Sequence, residues 1–323
     1  MGNKVLIAGG AGYIGSTLVP RLLERSYDIT VVDLLWFGNQ LPAGTTVIER
    51  SIAQLTVDDL TGFDTVIFLG GLSNDPMAEY SPVENFVENG SLPVYLAYIA
   101  KRAGVRRFIH GGSCSVYGYT EDMLCAETSQ AVSHYPYGIS KMQGEFGCLQ
   151  QADDTFSVIG FRQGTVCGYS PRMRLDLVIN TMFRTAMLDK RITVNNPAIW
   201  RPILAVQDAA SAYIRAIETS PSISGVFNIA SGNYTIGELA DLVQHGVAKH
   251  MGVQARVVLR NDSDLRSYKV DISKARNVLS FKPRYDVDDV VRDLAENHDR
   301  FKDYDRMEYY NIRTFKKLRT GAE

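Results

Sequence analysis

The seven residues Gly9-Gly10-Ala11-Gly12-Tyr13-Ile14-Gly15 restrict this chain more than any other stretch. They follow Lys4–Ala8, a short apolar run that reads as a β-strand. They open Tyr13–Arg25, where Ile14, Leu18, Leu22 and Leu23 fall on one helical face. A glycine-rich turn between strand and helix lets a ligand approach the backbone closely, and the helix N-terminus beyond it offers unpaired N–H groups and a partial positive charge. Such a turn suits a pyrophosphate. Gly9, Gly12 and Gly15 recur at every third position, a GxxGxxG spacing that a ligand-free tight turn could also use.

The pattern that follows agrees with a βαβ beginning. Ile29–Asp33 is a second strand rich in β-branched residues, and Thr65–Leu69 and Phe108–His110 are further strands of the fully buried kind. Val83–Ala103 is predicted as a helix that Pro93 must start or kink. Strands alternating with helices imply a parallel sheet covered on both faces, so the expected fold is α/β, a Rossmann-type doubly wound parallel sheet. After about residue 165 the regularity falls, and Pro171, Pro197, Pro202, Pro221 and Pro283 punctuate shorter elements. Residues 1–165 are therefore expected to form a dinucleotide-binding domain that carries the catalytic residues. Residues 166–323 are expected to form mainly a smaller, interleaved substrate-binding lobe, with segments near 200–215 returning to the Rossmann sheet. The polar, basic tail Tyr304–Glu323 is assigned no element.

Asp33 ends the second strand, 18 residues beyond Gly15. A carboxylate there can accept hydrogen bonds from adenosine ribose hydroxyls and would repel a 2′-phosphate, and no arginine follows in Leu34-Leu35-Trp36-Phe37. NAD is the expected cofactor. Tyr137-Gly138-Ile139-Ser140-Lys141 places a phenol and an ammonium on one helical face. A tyrosine of pKa about 10 is a poor base near neutrality. A nearby cation favours its phenolate, which could then take a hydroxyl proton while hydride leaves the same carbon. Ser113, in Gly111-Gly112-Ser113-Cys114-Ser115-Val116-Tyr117-Gly118, follows a strand end, where it could hydrogen-bond the reacting oxygen.

Composition narrows the partners. A formal net charge of -2 and a pI near 6.2 give no basic footprint for nucleic acid, and no apolar run reaches the roughly 18–20 residues a membrane span needs. The chain enters its first strand without the apolar core or cleavage site of a signal peptide. Cys114, Cys125, Cys148 and Cys167 share no CxxC spacing. No metal site or disulfide framework is expected, and the cytoplasm is the expected compartment.

Together, GGAGYIG, Asp33, SCSVYG and YGISK occur in the order and spacing of the extended short-chain dehydrogenase/reductases, and the chain resembles their sugar-nucleotide epimerase/dehydratase branch over nearly its whole length. The resemblance implies catalytic Ser113, Tyr137 and Lys141. It implies an NAD site of Gly9, Gly12, Tyr13, Ile14, Gly15, Asp33, Leu69, Gly70 and Asn89 together with Tyr137 and Lys141, although Asn89 could equally cap a helix. It implies a nucleotide-sugar substrate touched by Ser115, Thr165, Arg174, Asn180, Arg201 and Arg266, with Arg201 in Trp200-Arg201-Pro202 gripping the diphosphate and Arg260 an alternative to Arg266. Homodimerisation through the helix bearing Tyr137 and the Val83–Ala103 helix is part of the same resemblance.

Members of the branch oxidise a sugar carbon, usually C4, and then diverge. Those that dehydrate across C5–C6 carry Asp-Glu after the catalytic Thr, whereas this chain has Cys114 and Ser115, which disfavours that reaction. Some epimerases place a catalytic cysteine where Ser115 stands. Cys114 is one position off, so its side chain should point elsewhere. Ser51 replaces an aspartate that commonly contacts adenine, and Asp208 is read as the N-cap of the helical run Ala209–Glu218. Ser170–Asn180 is similar to a subgroup that includes bacterial nucleotide-heptose C4 dehydrogenases. Its Arg172 and Arg174 suit an anionic ligand or a solvated basic loop. A keto-sugar reductase running the same step backwards, and a non-catalytic dinucleotide sensor, are the competing functions.

Overall fold

The computed structural model describes residues 4–260 and 266–321. Its first half runs β1 (Lys4–Ala8), α1 (Gly15–Leu23), β2 (Asp28–Asp33), β3 (Thr46–Glu49), β4 (Thr65–Phe68), α2 (Asp75–Tyr80), α3 (Pro82–Phe86), α4 (Leu92–Arg102), β5 (Arg107–Gly111), β6 (Tyr119–Cys125), α5 (Pro136–Leu149) and β7 (Ser157–Gln163). The second half adds β8 (Thr165–Cys167), α6 (Val178–Asp189), β9 (Arg191–Asn195), β10 (Trp200–Ala205), α7 (Val206–Glu218), β11 (Gly225–Ile229), β12 (Gly232–Thr235) and α8 (Ile236–Met251). It ends with β13 (Arg256–Arg260), β14 (Ser267–Val270), α9 (Ser273–Leu279), α10 (Val287–Glu296) and α11 (Asn311–Thr320).

Seven strands form one parallel sheet in the order β11-β7-β5-β4-β1-β2-β3. Alternate side chains along a strand point to opposite faces. Val5, Ile7, Val31, Ile67 and Ile109 accordingly share a core with α1 and α7, while Leu6, Ala8, Val32, Phe68 and Phe108 share one with α4. Both layers are apolar, which is why these strands read as unbroken hydrophobic runs. The chain winds from β1 toward β2 and β3, and in the other direction toward β4 and β5. The loops leaving β1 and β4 therefore part at the carboxyl end of the sheet and open a crevice there.

A separate core fills the lobe, where Ile179 and Phe183 of α6 meet Leu239 and Val243 of α8 and Val291 and Leu294 of α10. The chain's return to the large sheet differs from expectation. Trp200–Ala205 does not join it. β10 pairs with β8 and β12, because the chain bends away from β7 at Gly164 and β10 follows it. The returning strand is β11, and α7 covers the sheet with Ala209, Ala210, Tyr213 and Ala216.

Three further local readings change. Val83–Ala103 is not one helix: α3 and α4 are joined by a π-turn over Val87–Ser91, with Pro93 in the first turn of α4. Proline cannot continue the backbone ladder, and the π-turn absorbs the mismatch. Asp208 does not cap α7. It lies inside the first turn, where its carboxylate accepts from Ser231 Oγ (2.8 Å) and from the Arg284 and Tyr285 amides (2.9 and 3.2 Å). The basic tail contains α11, anchored by buried Phe315 against Leu72 and Met77. No helix among the described residues is long and apolar enough to cross a membrane.

Candidate active site

A cavity of about 660 Å³ runs from the crevice across to the lobe. At its first end the glycine loop is pressed against its neighbours. Gly9 has φ +80°, and a Cβ added there would stand 2.4 Å from Gly70 N. Only glycine permits that approach, and the two loops form a bare backbone cradle. A Cβ on Gly15 would meet Gly10 O at 2.1 Å, so this glycine seats α1 on the loop and stays off the cavity wall. Asp33 Oδ2 accepts from Ala11 N and Oδ1 from Leu35 N, both at 2.9 Å. Burial raises the Asp33 pKa and these N–H groups oppose the rise. A carboxylate has about four acceptor positions, so each oxygen keeps capacity for a ribose diol. Gly12, Tyr13, Ile14, Leu69, Gly70 and Ser51 complete this wall. A backbone cradle, a helix N-terminus and a carboxylate with spare acceptors fit the pyrophosphate and adenosine ribose of NAD.

Asn89 is not on the wall. It is fully buried in the π-turn, and its amide donates to Leu72 O and Asn85 Oδ1, both at 2.8 Å. It braces the loop after β4 from behind.

The middle of the cavity carries the hydroxyl and ammonium groups. Ser113 follows β5 and caps the short turn Cys114–Tyr117, its Oγ accepting from Ser115 N at 3.1 Å. It also lies near enough to the Tyr137 phenol to lower its pKa. Tyr137 and Lys141 stand one turn apart on α5, with Lys141 Nζ 5.9 Å from the phenol ring centroid and donating to Gly111 O at 3.1 Å. Burial pulls the ammonium down to about 8. Burial also raises the phenol, as does Asp75, while Arg174 and Ser113 lower it. Ser115 reaches the wall with a buried Oγ that has no hydrogen-bond partner among the described residues. Cys114 turns the other way, donating from Sγ to Arg162 O at 3.1 Å, and its thiol is pushed up by burial.

The far end belongs to the lobe. Thr165, Arg174, Arg201 and Arg266 all reach the wall. Arg201 donates to Trp200 O (3.0 Å) and to Arg266 O, and its guanidinium lies 5.6 Å from the Tyr268 ring. Arg266 pairs with Asp75 and lies 5.4 Å from the Tyr135 ring. Arg174 is paired with Asp176 at 2.8 Å. Asn180 does not face the cavity. Its amide donates to Tyr13 OH, Gly168 O and Arg174 O, and its Oδ1 accepts from Gly168 N, so its bonding is spent inside the protein. Arg260 is exposed at the end of β13 and also lies off the wall.

Several wall residues escaped the sequence reading, among them Trp36, Phe37, Asp75, Asn311 and Ile312. No motif surrounds them. Arg172 lay within the run noted for its charge, yet it is buried rather than a solvated basic residue.

Known proteins share this architecture. The sequence profile described as the NAD dependent epimerase/dehydratase family matches residues 5–230. UDP-glucose 4-epimerase 3 of Oryza sativa subsp. japonica is 25% identical over 337 aligned residues, covering 90% of this chain and 88% of the relative. UDP-glucuronic acid decarboxylase 3 of Arabidopsis thaliana is 26% identical, covering 87% and 84%. Among solved structures, MoeE5 in complex with UDP-glucose and NAD superposes with a TM-score of 0.81 at 26% identity, covering 92% of this chain and 99% of that one.

Proposed function

The chain belongs to the NAD-dependent epimerase/dehydratase family, and from that premise we propose that it oxidises a carbon of a nucleotide-activated sugar, C4 by the pattern of the branch, as the first step of an epimerisation or dehydrogenation. One observation carries the reading: Ser113, Tyr137 and Lys141 share a single cavity wall that starts at the glycine cradle and ends at Arg201 and Arg266. When bound, NAD supplies the hydride acceptor. Tyr137 takes the proton of the sugar hydroxyl. Ser113, on the same stretch of wall, donates its hydroxyl hydrogen to the same oxygen. Lys141, kept on the Tyr137 face by Gly111 O, supplies the positive charge that favours the phenolate. Arg201 and Arg266 present guanidinium groups to the diphosphate. In this reading residues 1–165 bring cofactor and chemistry, and the lobe brings the sugar nucleotide. The chain pairs with a second copy through α3, α4 and α5. Four free, buried cysteines suit a reducing cytoplasm.

The test is the Tyr137→Phe variant mixed with UDP-glucose and UDP-glucuronic acid. The wild type should transiently reduce its NAD, seen as nicotinamide fluorescence. The variant should bind NAD as before and lose about 10²–10⁴-fold in rate. Unchanged reduction in the variant rejects Tyr137 as the base.

A further inference from the structure

The adenosine end of the cavity has a second side that the glycine loop and Asp33 do not account for. Arg172, from the lobe, is only 3% exposed yet lies on the cavity wall. Its Nη2 donates to Asn311 Oδ1 at 2.5 Å. Its Nε and Nη1 are buried and have no hydrogen-bond partner among the described residues. The guanidinium sits 3.6 Å from the centroid of the Phe37 ring, four residues after Asp33. A buried cation with unfilled donors is unfavourable unless an acceptor arrives to fill them.

Direction separates this arginine from its neighbour. Arg174 is paired with Asp176 and its charge acts on Tyr137. Arg174 and Asp176 act most strongly on Arg172, but Asp33 acts on it too and Arg172 in turn acts on Asp33, whereas Asp33 does not figure among the groups acting on Arg174. Asn311 is held in place from several sides. Its amide nitrogen donates to Ser73 Oγ at 2.5 Å and its backbone N–H to Asp176 Oδ2 at 3.3 Å. Farther along α11, Phe315 is buried beside Leu72, and Arg319 bonds Glu84 through two nitrogens. The last helix thus ties the loop after β4 to the arginine across the cavity.

We propose that Arg172, pinned by Asn311 of α11, is a cofactor-binding residue whose free Nε and Nη1 hydrogens donate to oxygens of the adenosine ribose–pyrophosphate half of NAD, opposite the acceptor Asp33. The proposal rests on the reading that the glycine cradle and Asp33 hold that half. A donor fork facing an acceptor carboxylate lets each ribose hydroxyl give one hydrogen bond and receive another.

Calorimetry on the full-length, cofactor-stripped protein tests it, with NAD⁺, ADP-ribose and UDP as separate titrants. Arg172→Ala should weaken NAD⁺ and ADP-ribose about tenfold or more, equivalent to about 1.4 kcal/mol, and leave UDP within about twofold. Arg172→Lys, which keeps charge but not the fork, should recover only part of the loss. Should the alanine variant fail to fold, as judged by its unfolding transition, Asn311→Ala carries the test: it keeps the arginine but frees it, and should weaken ADP-ribose and not UDP. Wild-type affinity for ADP-ribose in the folded arginine variant, or an equal loss for UDP, overturns the assignment. Asp33→Ala separates the premise from the proposal. If it binds NAD⁺ normally, the placement of the adenosine half fails and Arg172 falls with it. If it is impaired while Arg172→Ala is not, only the arginine's role is rejected.

Discussion

Lys141 shows how far a single residue can be set against the stability of its own fold. Its ammonium is buried, bonded to one carbonyl and held near pH 8, against 10.5 for a free lysine. Below about pH 8 the folded protein carries the whole cost of that buried charge. Between about 8 and 10.5 the folded state releases its proton before the unfolded chain does, so stability rises with pH across this window. The drop from 10.5 to about 8, at roughly 1.4 kcal/mol per tenfold change in proton affinity, puts the cost on the order of 3 kcal/mol at neutrality. Lys141→Met should therefore lose sugar oxidation and unfold at a temperature a few degrees higher at pH 7, with the gain shrinking toward pH 10. A lower unfolding temperature would show that the bond to Gly111 O outweighs the desolvation. The Tyr137–Lys141 pair was legible because i and i+4 share a face whatever surrounds the helix. The phenol's other neighbours were not. Arg174 acts on it from the loop before α6 and Asp75 from the start of α2, and the amide of Asn180, which looked free for substrate, is consumed by Tyr13 and Gly168.

At the scale of elements, the sequence declares what is periodic and conceals what is held by a few contacts. The strands from β1 to β5 stand out because both sheet faces demand apolar residues. α11 does not, since it offers Ile312 and Phe315 to the protein while Leu318 stays 46% exposed, too thin a stripe to mark a helix among lysines and arginines. β10 misleads for another reason: its residues fit any sheet, and only the bend at Gly164 decides which one it joins. Because Phe315 is the apolar anchor of α11, Phe315→Ala should remove about 3–5 kcal/mol of local packing and free the helix without unfolding the sheet. Hydrogen exchange at the amides of residues 312–320 is the measurement. Fast exchange there with protection kept in β1, β4 and β5 is the expected result, and unchanged protection of the helix would show that its ion pairs suffice.

For the whole molecule, the proposed pairing with a second copy rests on the surface of α3, α4 and α5. Val83, Tyr98 and Phe146 are 77%, 47% and 50% exposed, and Val87 in the intervening π-turn is 45% exposed. Such residues gathered on adjoining helices favour burial, and the same face of a second copy would supply it. Val83→Glu combined with Phe146→Glu should convert a dimer to a monomer in sedimentation experiments while leaving NAD binding intact. A dimer that persists would place the contact elsewhere.

The position of α11 in the chain also has a consequence for biosynthesis. Asn311 and Ile312 wall the cavity, yet they belong to α11, which the ribosome makes after every other helix and strand described. The seven-stranded sheet, its glycine cradle and the lobe can emerge and fold while that side of the cavity is still open. That side is added only after the sheet and the lobe have been translated, so during synthesis the pocket exists first as an open trough and becomes an enclosure when α11 docks.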